Sequence, residues 1–360
     1  MGILDANEFD RMKELKELDD VKTGVKGLVD EGITGIPNIF LRPASELADD
    51  KINLSISDVY LPVVDLSQIQ SPERRKTIVD EVKAASSEWG FFRLVNHGVP
   101  HSLMEDMLQA IREFHEGDPE EKKRLYSRDA KRTLLYYTNY SFYHARSLSW
   151  RDSFAVMSHL SDPLELPAAC REAIWEYRKQ MRVLGGLLLE LLSEALGLKP
   201  RHLIEMGCGK KHDLVCHYHP PCPEPDRTWG STQHRDPFFL TVLLQDQVGG
   251  LQVLHQDHWV DVKPVPGSFV VNIGDFLQIV SNNKFRSVEH RVQASRVGPR
   301  ISAALFMTTE SGPSEKAFGP IKELVSEENP PLYGDSRPSE YFSLFQQRKI
   351  SSVQGGKEQE

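Results

Sequence analysis

The stretch after residue 211 constrains the fold more than any other part of the chain. Short segments with strand character follow one another at 214–219, 239–245, 251–255, 259–265, 269–273, 285–292 and 301–308. Turn-forming pairs such as Gly249-Gly250, Pro266-Gly267 and Asn282-Asn283 separate them. Parallel strands need long crossovers, usually helical, and no helical period lies between these segments. The spacing therefore predicts a sandwich or jelly roll rather than a βαβ sheet.

The N-terminal half reads differently. Met12, Leu15, Leu18, Val21, Val25, Leu28 and Val29 recur at helical steps, which predicts one helix ending near Gly32. An irregular arm follows to residue 58, and Pro62 confines a strand at 61–66 to a start or an edge. Ser71-Pro72 opens a helix, 91–95 is a strand, and 101–115 and 168–196 are helices. The aromatic stretch 133–154 has little periodicity and reads as a loop able to line a pocket. The expected organisation is an N-terminal helix and arm (1–58), a helical and strand portion packing on the core (59–206), a jelly-roll core (207–310) and a C-terminal extension (311–360).

Composition excludes several classes of function. The 360 residues carry a net charge of -9 and no Lys/Arg-rich run, which argues against nucleic-acid binding. No apolar stretch approaches the roughly 20 residues of a membrane span, and Met1 to Asp10 lack the features of a secretory signal. Four cysteines in a chain this long make no disulfide framework, and Cys208, Cys216 and Cys222 lack CxxC spacing for zinc, so these and Cys170 read as free thiols in a reducing cytoplasm. A monomer is the default.

Among thirteen histidines, one arrangement suits a redox metal. His234 and Asp236 stand at i and i+2, which on an extended strand places both on one face. His290, on a later strand, supplies a third ligand, giving the two-imidazole, one-carboxylate set of non-haem iron sites. His217 and His219 form a competing pair. Arg300 and Ser302 share a face of another strand, where a guanidinium and a hydroxyl can hold a carboxylate, unless Arg300 only bridges to a structural acid.

The motifs Gly90-Phe91-Phe92, Asn96-His97-Gly98, Pro220-Pro221-Cys222-Pro223, His234-Arg235-Asp236, Gly249-Gly250-Leu251-Gln252-Val253, Asn272-Ile273-Gly274-Asp275, Val288-Glu289-His290-Arg291-Val292 and Pro299-Arg300-Ile301-Ser302 resemble the plant iron(II)/2-oxoglutarate-dependent dioxygenases. The resemblance runs over nearly the whole chain. Residues 20–35, 192–200 and 319–324 resemble the branch holding 1-aminocyclopropane-1-carboxylate oxidase homologues, desacetoxyvindoline 4-hydroxylase and a benzoxazinoid hydroxylase.

That resemblance implies a mixed α and β fold, a double-stranded β-helix (jelly-roll) core flanked by helices with a long N-terminal helical portion. It implies iron on His234, Asp236 and His290, 2-oxoglutarate on Arg300 and Ser302, and ascorbate as reductant. Hydroxylation of a small plant specialised metabolite, with release of succinate and carbon dioxide, would be the reaction. Desaturation, demethylation and ring closure share that chemistry. The alternatives are a non-catalytic binding protein and an oxidase that uses ascorbate without 2-oxoglutarate.

Two positions depart from the family pattern. His219 replaces a tyrosine that reaches the cosubstrate, and with an ordinary value near 6.5 it is expected to make cosubstrate affinity pH-sensitive. Arg235 replaces a small hydroxyl residue; it reads as a surface or nearby ion pair, or more sharply as a contact to a substrate carboxylate at the pocket rim. Tyr137, Phe142, Phe154, Phe238 and Phe306 are the candidate pocket aromatics.

Overall fold

The computed structural model describes residues 6–43, 46, 59–129, 131–310 and 315–343. Most of the irregular arm, the first five residues and the chain after 343 lie outside them, so the expectations for those stretches do too.

Twelve strands form two facing sheets among the described residues. They are β1 (Val63–Asp65), β2 (Phe91–Val95), β3 (Leu134–Tyr137), β4 (Asp152–Val156), β5 (Lys211–His219), β6 (Trp229–His234), β7 (Leu240–Gln245), β8 (Leu251–His255), β9 (His258–Asp261), β10 (Phe269–Ile273), β11 (His290–Gln293) and β12 (Arg300–Thr308). The larger sheet runs β1-β2-β10-β7-β12-β5-β4-β3 and the smaller β6-β11-β8-β9. Only β1 and β2 pair in parallel; every other named pairing is antiparallel. The jelly roll expected from the strand spacing is what forms.

Alternation along each strand divides the large sheet into two faces. Ile301, Ala303, Leu305 and Met307 of β12 join Leu240, Val242 and Leu244 of β7 in the main core. There they meet three helices, α3 (Pro72–Glu88), α4 (His101–Glu116) and α6 (Arg171–Ala195). The alternate residues Arg300, Ser302, Ala304 and Phe306 face the smaller sheet and line a cavity between the two. A one-residue register slip would carry Arg300 into the apolar core, so this register fixes the site as well as the packing.

The N-terminal helix is not continuous. It forms as α1 (Ala6–Val21) and α2 (Gly24–Asp30), with Lys22 and Gly24 at φ 60° and 69° between them. The cause lies far along the chain. The buried Asp152 carboxylate of β4 accepts the N–H groups of Val25 and Lys26 at 2.9 and 2.8 Å and the Thr138 hydroxyl at 2.6 Å. A side chain caps the start of α2 from another element, and a Cβ on Gly24 would fall 2.2 Å from the Asp152 carboxylate.

The stretch 133–154, expected to be a loop, carries β3 and the start of β4 at its two ends. The segment 285–292 is a strand only from His290. Between β10 and β11 runs a short helix, α8 (Asp275–Val280), which the apolar run had hidden; the remaining described helices are α5 (Pro119–Leu125) and α7 (His202–Met206). Residues 338–343 are helical. All four cysteines are buried free thiols. Among the described residues, no helix is long and apolar enough to cross a membrane.

Candidate active site

His234, Asp236 and His290 converge. The register sets His290 of β11 directly opposite His234, the last residue of β6. Their rings lie 4.2 Å apart, and each Nε2 is 3.6 Å from Asp236 Oδ1. Asp236 itself is beyond the end of β6, so the i and i+2 relationship does not rest on strand pleat alone. The loop is held instead by α8: Asp275 N–H donates to the Asp236 carbonyl at 2.8 Å, and Phe276 N–H to that of Phe238 at 3.1 Å. Gly274 permits this approach, since a Cβ there would stand 2.1 Å from the Phe238 carbonyl oxygen.

Each ligand atom is oriented by a second contact. His234 Nδ1 lies 2.7 Å from the Thr232 carbonyl and His290 Nδ1 3.3 Å from that of Val288. Both contacts place the ring proton on Nδ1 and leave Nε2 as the electron-pair donor. Asp236 Oδ2 accepts from the Thr241 hydroxyl at 2.6 Å and the Asn272 amide at 2.8 Å, which turns Oδ1 toward the imidazoles. Burial pushes the Asp236 carboxyl up, but His290, His234 and these hydrogen bonds together hold it below its ordinary value. Three ligand atoms within 4.8 Å of one another fit a divalent ion with one side open.

The second part of the site is a buried cation. Arg300 is 3% exposed, and its guanidinium donates to the Gly249 carbonyl (2.7 Å), Ser302 Oγ (3.1 Å) and Gln245 Oε1 (3.1 Å). All three acceptors are neutral, and no carboxylate among the described residues lies within ion-pair distance of it. The structural salt bridge that the sequence left open for Arg300 does not form. Burial pushes its value down to about 10, which still leaves it charged at neutral pH. A buried guanidinium held by neutral groups fits an incoming carboxylate.

His219 faces Arg300 across the β5–β12 pair, and His217 faces Ser302. His217 Nδ1 meets Ser153 Oγ at 2.9 Å, whereas neither ring nitrogen of the buried His219 has a partner. The two do not form a rival metal cluster with a third ligand among the described residues. Burial first, then Arg300 and Arg151, push His219 well below its ordinary value. Contrary to the expectation of a ring that becomes cationic near neutral pH, the protein's own groups favour the neutral form, with desolvation and two neighbouring cations outweighing the backbone of Arg300 and Gly230.

The pocket aromatics divide. Phe306 lines the cavity, and Phe238 packs on it at 4.8 Å. Phe154 does not line it: strand alternation turns Ser153 inward and Phe154 into the core, stacked 4.1 Å from Phe114. Phe142 is also misplaced by sequence reasoning, for it packs with Phe40 and Trp150 under the N-terminal helices. Tyr137 is buried beside Phe306 in a small cluster flanking the cavity. Arg235 is exposed and outside the cavity lining, with Asp275 a carboxyl group that feels its charge.

Sequence reasoning missed Arg151, which lines the cavity from the residue before β4. The signal available was an arginine interrupting an aromatic stretch, at the position where alternation with Ser153 points inward.

Comparison with known proteins gives a consistent result. The model for the 2OG-Fe(II) oxygenase superfamily matches residues 210–309, and one for the non-haem dioxygenase in morphine synthesis N-terminal region matches 61–176. The chain is 49% identical over 351 residues to 1-aminocyclopropane-1-carboxylate oxidase homolog 12 of Arabidopsis thaliana, covering 96% of each. It is 51% identical over 340 residues to homolog 11, covering 93% of each. Among solved structures, JOX2 in complex with 2OG, Fe and JA matches with a TM-score of 0.77 at 32% identity, over 91% of this chain and 96% of that one. A rice dioxygenase for auxin oxidation matches with a TM-score of 0.68 at 26% identity, over 81% and 96%.

Proposed function

The chain belongs to the 2OG-Fe(II) oxygenase superfamily and is an Fe(II)- and 2-oxoglutarate-dependent dioxygenase, and we propose that it hydroxylates a small plant specialised metabolite. The pairing of an oriented His-Asp-His set with a buried, acid-free Arg300 in one cavity carries this reading.

In the proposal His234 and His290 hold the iron through Nε2 and Asp236 through Oδ1. Thr241 and Asn272 keep Asp236 from swinging away, and the two backbone carbonyls fix the imidazole tautomers. Arg300 and Ser302 receive the distal carboxylate of 2-oxoglutarate, with His219 as a neutral wall opposite. When bound, iron and 2-oxoglutarate supply the oxidising chemistry, in which dioxygen converts the cosubstrate to succinate and carbon dioxide and a substrate C–H bond is oxidised. Leu243, Leu251, Val292, Ala304 and Phe306 give the remaining wall an apolar surface that excludes water.

The relatives support a small metabolite as substrate, since the JOX2 structure holds JA and the rice protein is named for auxin oxidation. The Arg300-Ser302 anchor favours a 2-oxoglutarate enzyme over an ascorbate-only oxidase, and the intact ligand set disfavours a non-catalytic binder. Ascorbate as reductant, a monomeric state and a cytoplasmic location belong to the same proposal. The test is succinate release from 2-oxoglutarate by the Fe(II)-loaded protein given plant metabolite fractions, with mass spectrometry for a product heavier by one oxygen. Succinate without any oxidised metabolite across those fractions would overturn the substrate class.

A further inference from the structure

Arg151 is a second cation on the cavity wall, and the metal and cosubstrate reading gives it no task. Its Nη1 donates to Ser231 Oγ at 2.9 Å, and its buried Nε has no hydrogen-bond partner. No carboxylate among the described residues lies within ion-pair distance of it. The adjacent Asp152 is turned away, capping α2. Asp236 is close enough for its charge to be felt, yet its oxygens face the imidazoles, Thr241 and Asn272. Arg151 and Arg300 also feel each other as like charges. Asp246, the acid nearest in effect to Arg300, accepts the Ile301 and Val248 N–H groups and does not line the cavity.

The charges of the loaded site point to what is missing. Asp236 offsets one of the two charges of a divalent ion. The two carboxylates of 2-oxoglutarate offset the other and Arg300. Arg151 then remains as a half-buried guanidinium with no counter-charge and a buried, unused Nε–H, which is costly unless an anion joins it. Tyr137, beside the apolar Phe306 cluster, couples electrostatically to the same guanidinium, so the cation stands where an apolar wall begins.

Resting on the dioxygenase reading above, we propose that Arg151 is the specificity-determining residue that seats a carboxylate of the oxidised substrate, which is therefore a small apolar organic acid rather than a neutral molecule. The charged end lies on the side of Ser231 and Tyr137, and the apolar body extends along Phe306. This role falls to Arg151 rather than to the exposed Arg235.

The test uses full-length protein loaded with Mn(II) and saturating 2-oxoglutarate, so that added acids cannot simply take the Arg300 site. Benzoate, phenylacetate and indole-3-acetate are each titrated against their neutral amides by calorimetry. At least one acid is expected to bind ~10-fold or more tightly than its amide. Arg151→Gln should abolish that preference, and Arg151→Lys, which keeps the charge, should restore part of it. Equal binding of acid and amide by wild-type protein, or an acid preference surviving in Arg151→Gln, overturns the proposal. So does a large loss of 2-oxoglutarate affinity in Arg151→Gln, which would assign the residue to the cosubstrate. If 2-oxoglutarate fails to bind the Mn(II) protein at all, the dioxygenase reading falls and this one with it; if it binds and no acid outbinds its amide, this one alone falls.

Discussion

His219 stands directly opposite Arg300 in the antiparallel β5–β12 pair, a neutral imidazole set against a buried guanidinium. Its folded value lies well below the ordinary one, because burial, Arg300 and Arg151 all favour the neutral ring. The 2-oxoglutarate KM should accordingly be flat between about pH 6 and pH 8. Initial-rate measurements across that interval check this, and a KM that climbs steadily with pH would mean the ring is titrating.

Arg300 is held only by neutral acceptors, so its attraction for an incoming carboxylate is not already satisfied. Arg300→Gln should raise the 2-oxoglutarate KM by ~30-fold or more, the equivalent of losing a charge-assisted pair worth about 2 kcal/mol. Arg300→Lys should fall between the two, because an ammonium cannot reproduce the planar fork.

The Thr241 hydroxyl fixes the Asp236 oxygen that does not face the imidazoles. Thr241→Val keeps the shape and removes the donor, which should weaken metal binding by about 10-fold without unfolding the protein. Competition between the protein and a chromophoric chelator for Mn(II) measures it.

Asp152 joins α2 to the large sheet through two backbone N–H groups and a hydroxyl. Asp152→Ala leaves three donors without a partner, two of them buried, and the stability in urea should drop by about 2–4 kcal/mol. A smaller change would show that the start of α2 finds another acceptor.

His115 is fully buried with no partner for either ring nitrogen. Burial first, then Lys122 and Lys26, depress its folded value, so its contribution to stability is complete above the unfolded value near 6.5. Below that pH the unfolded chain takes up a proton that the folded chain refuses, and about 1.4 kcal/mol is lost per pH unit. His212, His217 and His219 act in the same direction. Unfolding free energies at about pH 7.5 and pH 5.5 should differ by about 1.4 kcal/mol less in His115→Leu than in the wild type.

Local patterning made the site half legible. Arg300 and Ser302 could be placed on one face because a strand has a period of two, and the same alternation sorts Ser153 from Phe154 once β4 is known. What stayed hidden depends on distant partners. Thr23-Gly24 was a local hint that α1 and α2 separate, but the partner that fixes the break, Asp152, is more than a hundred residues away. Asp236 reaches His234 through the clasp of α8 rather than through strand pleat. Arg151 looked like one more residue of an aromatic loop until the pairing of β4 with β5 turned it toward the cavity.

The position of β12 between β7 and β5 has a consequence for how the protein is born. This strand is the last of the twelve to leave the ribosome, yet it is interior to the sheet, so until it inserts the sheet exists as two separate halves. It also carries Arg300 and Ser302, while His234, Asp236 and His290 all lie earlier in the chain. In the proposed assignment, the metal-holding set is therefore complete in sequence before the carboxylate anchor is made. The same strand that brings the anchor also completes the cavity wall, so the two cannot be assembled separately.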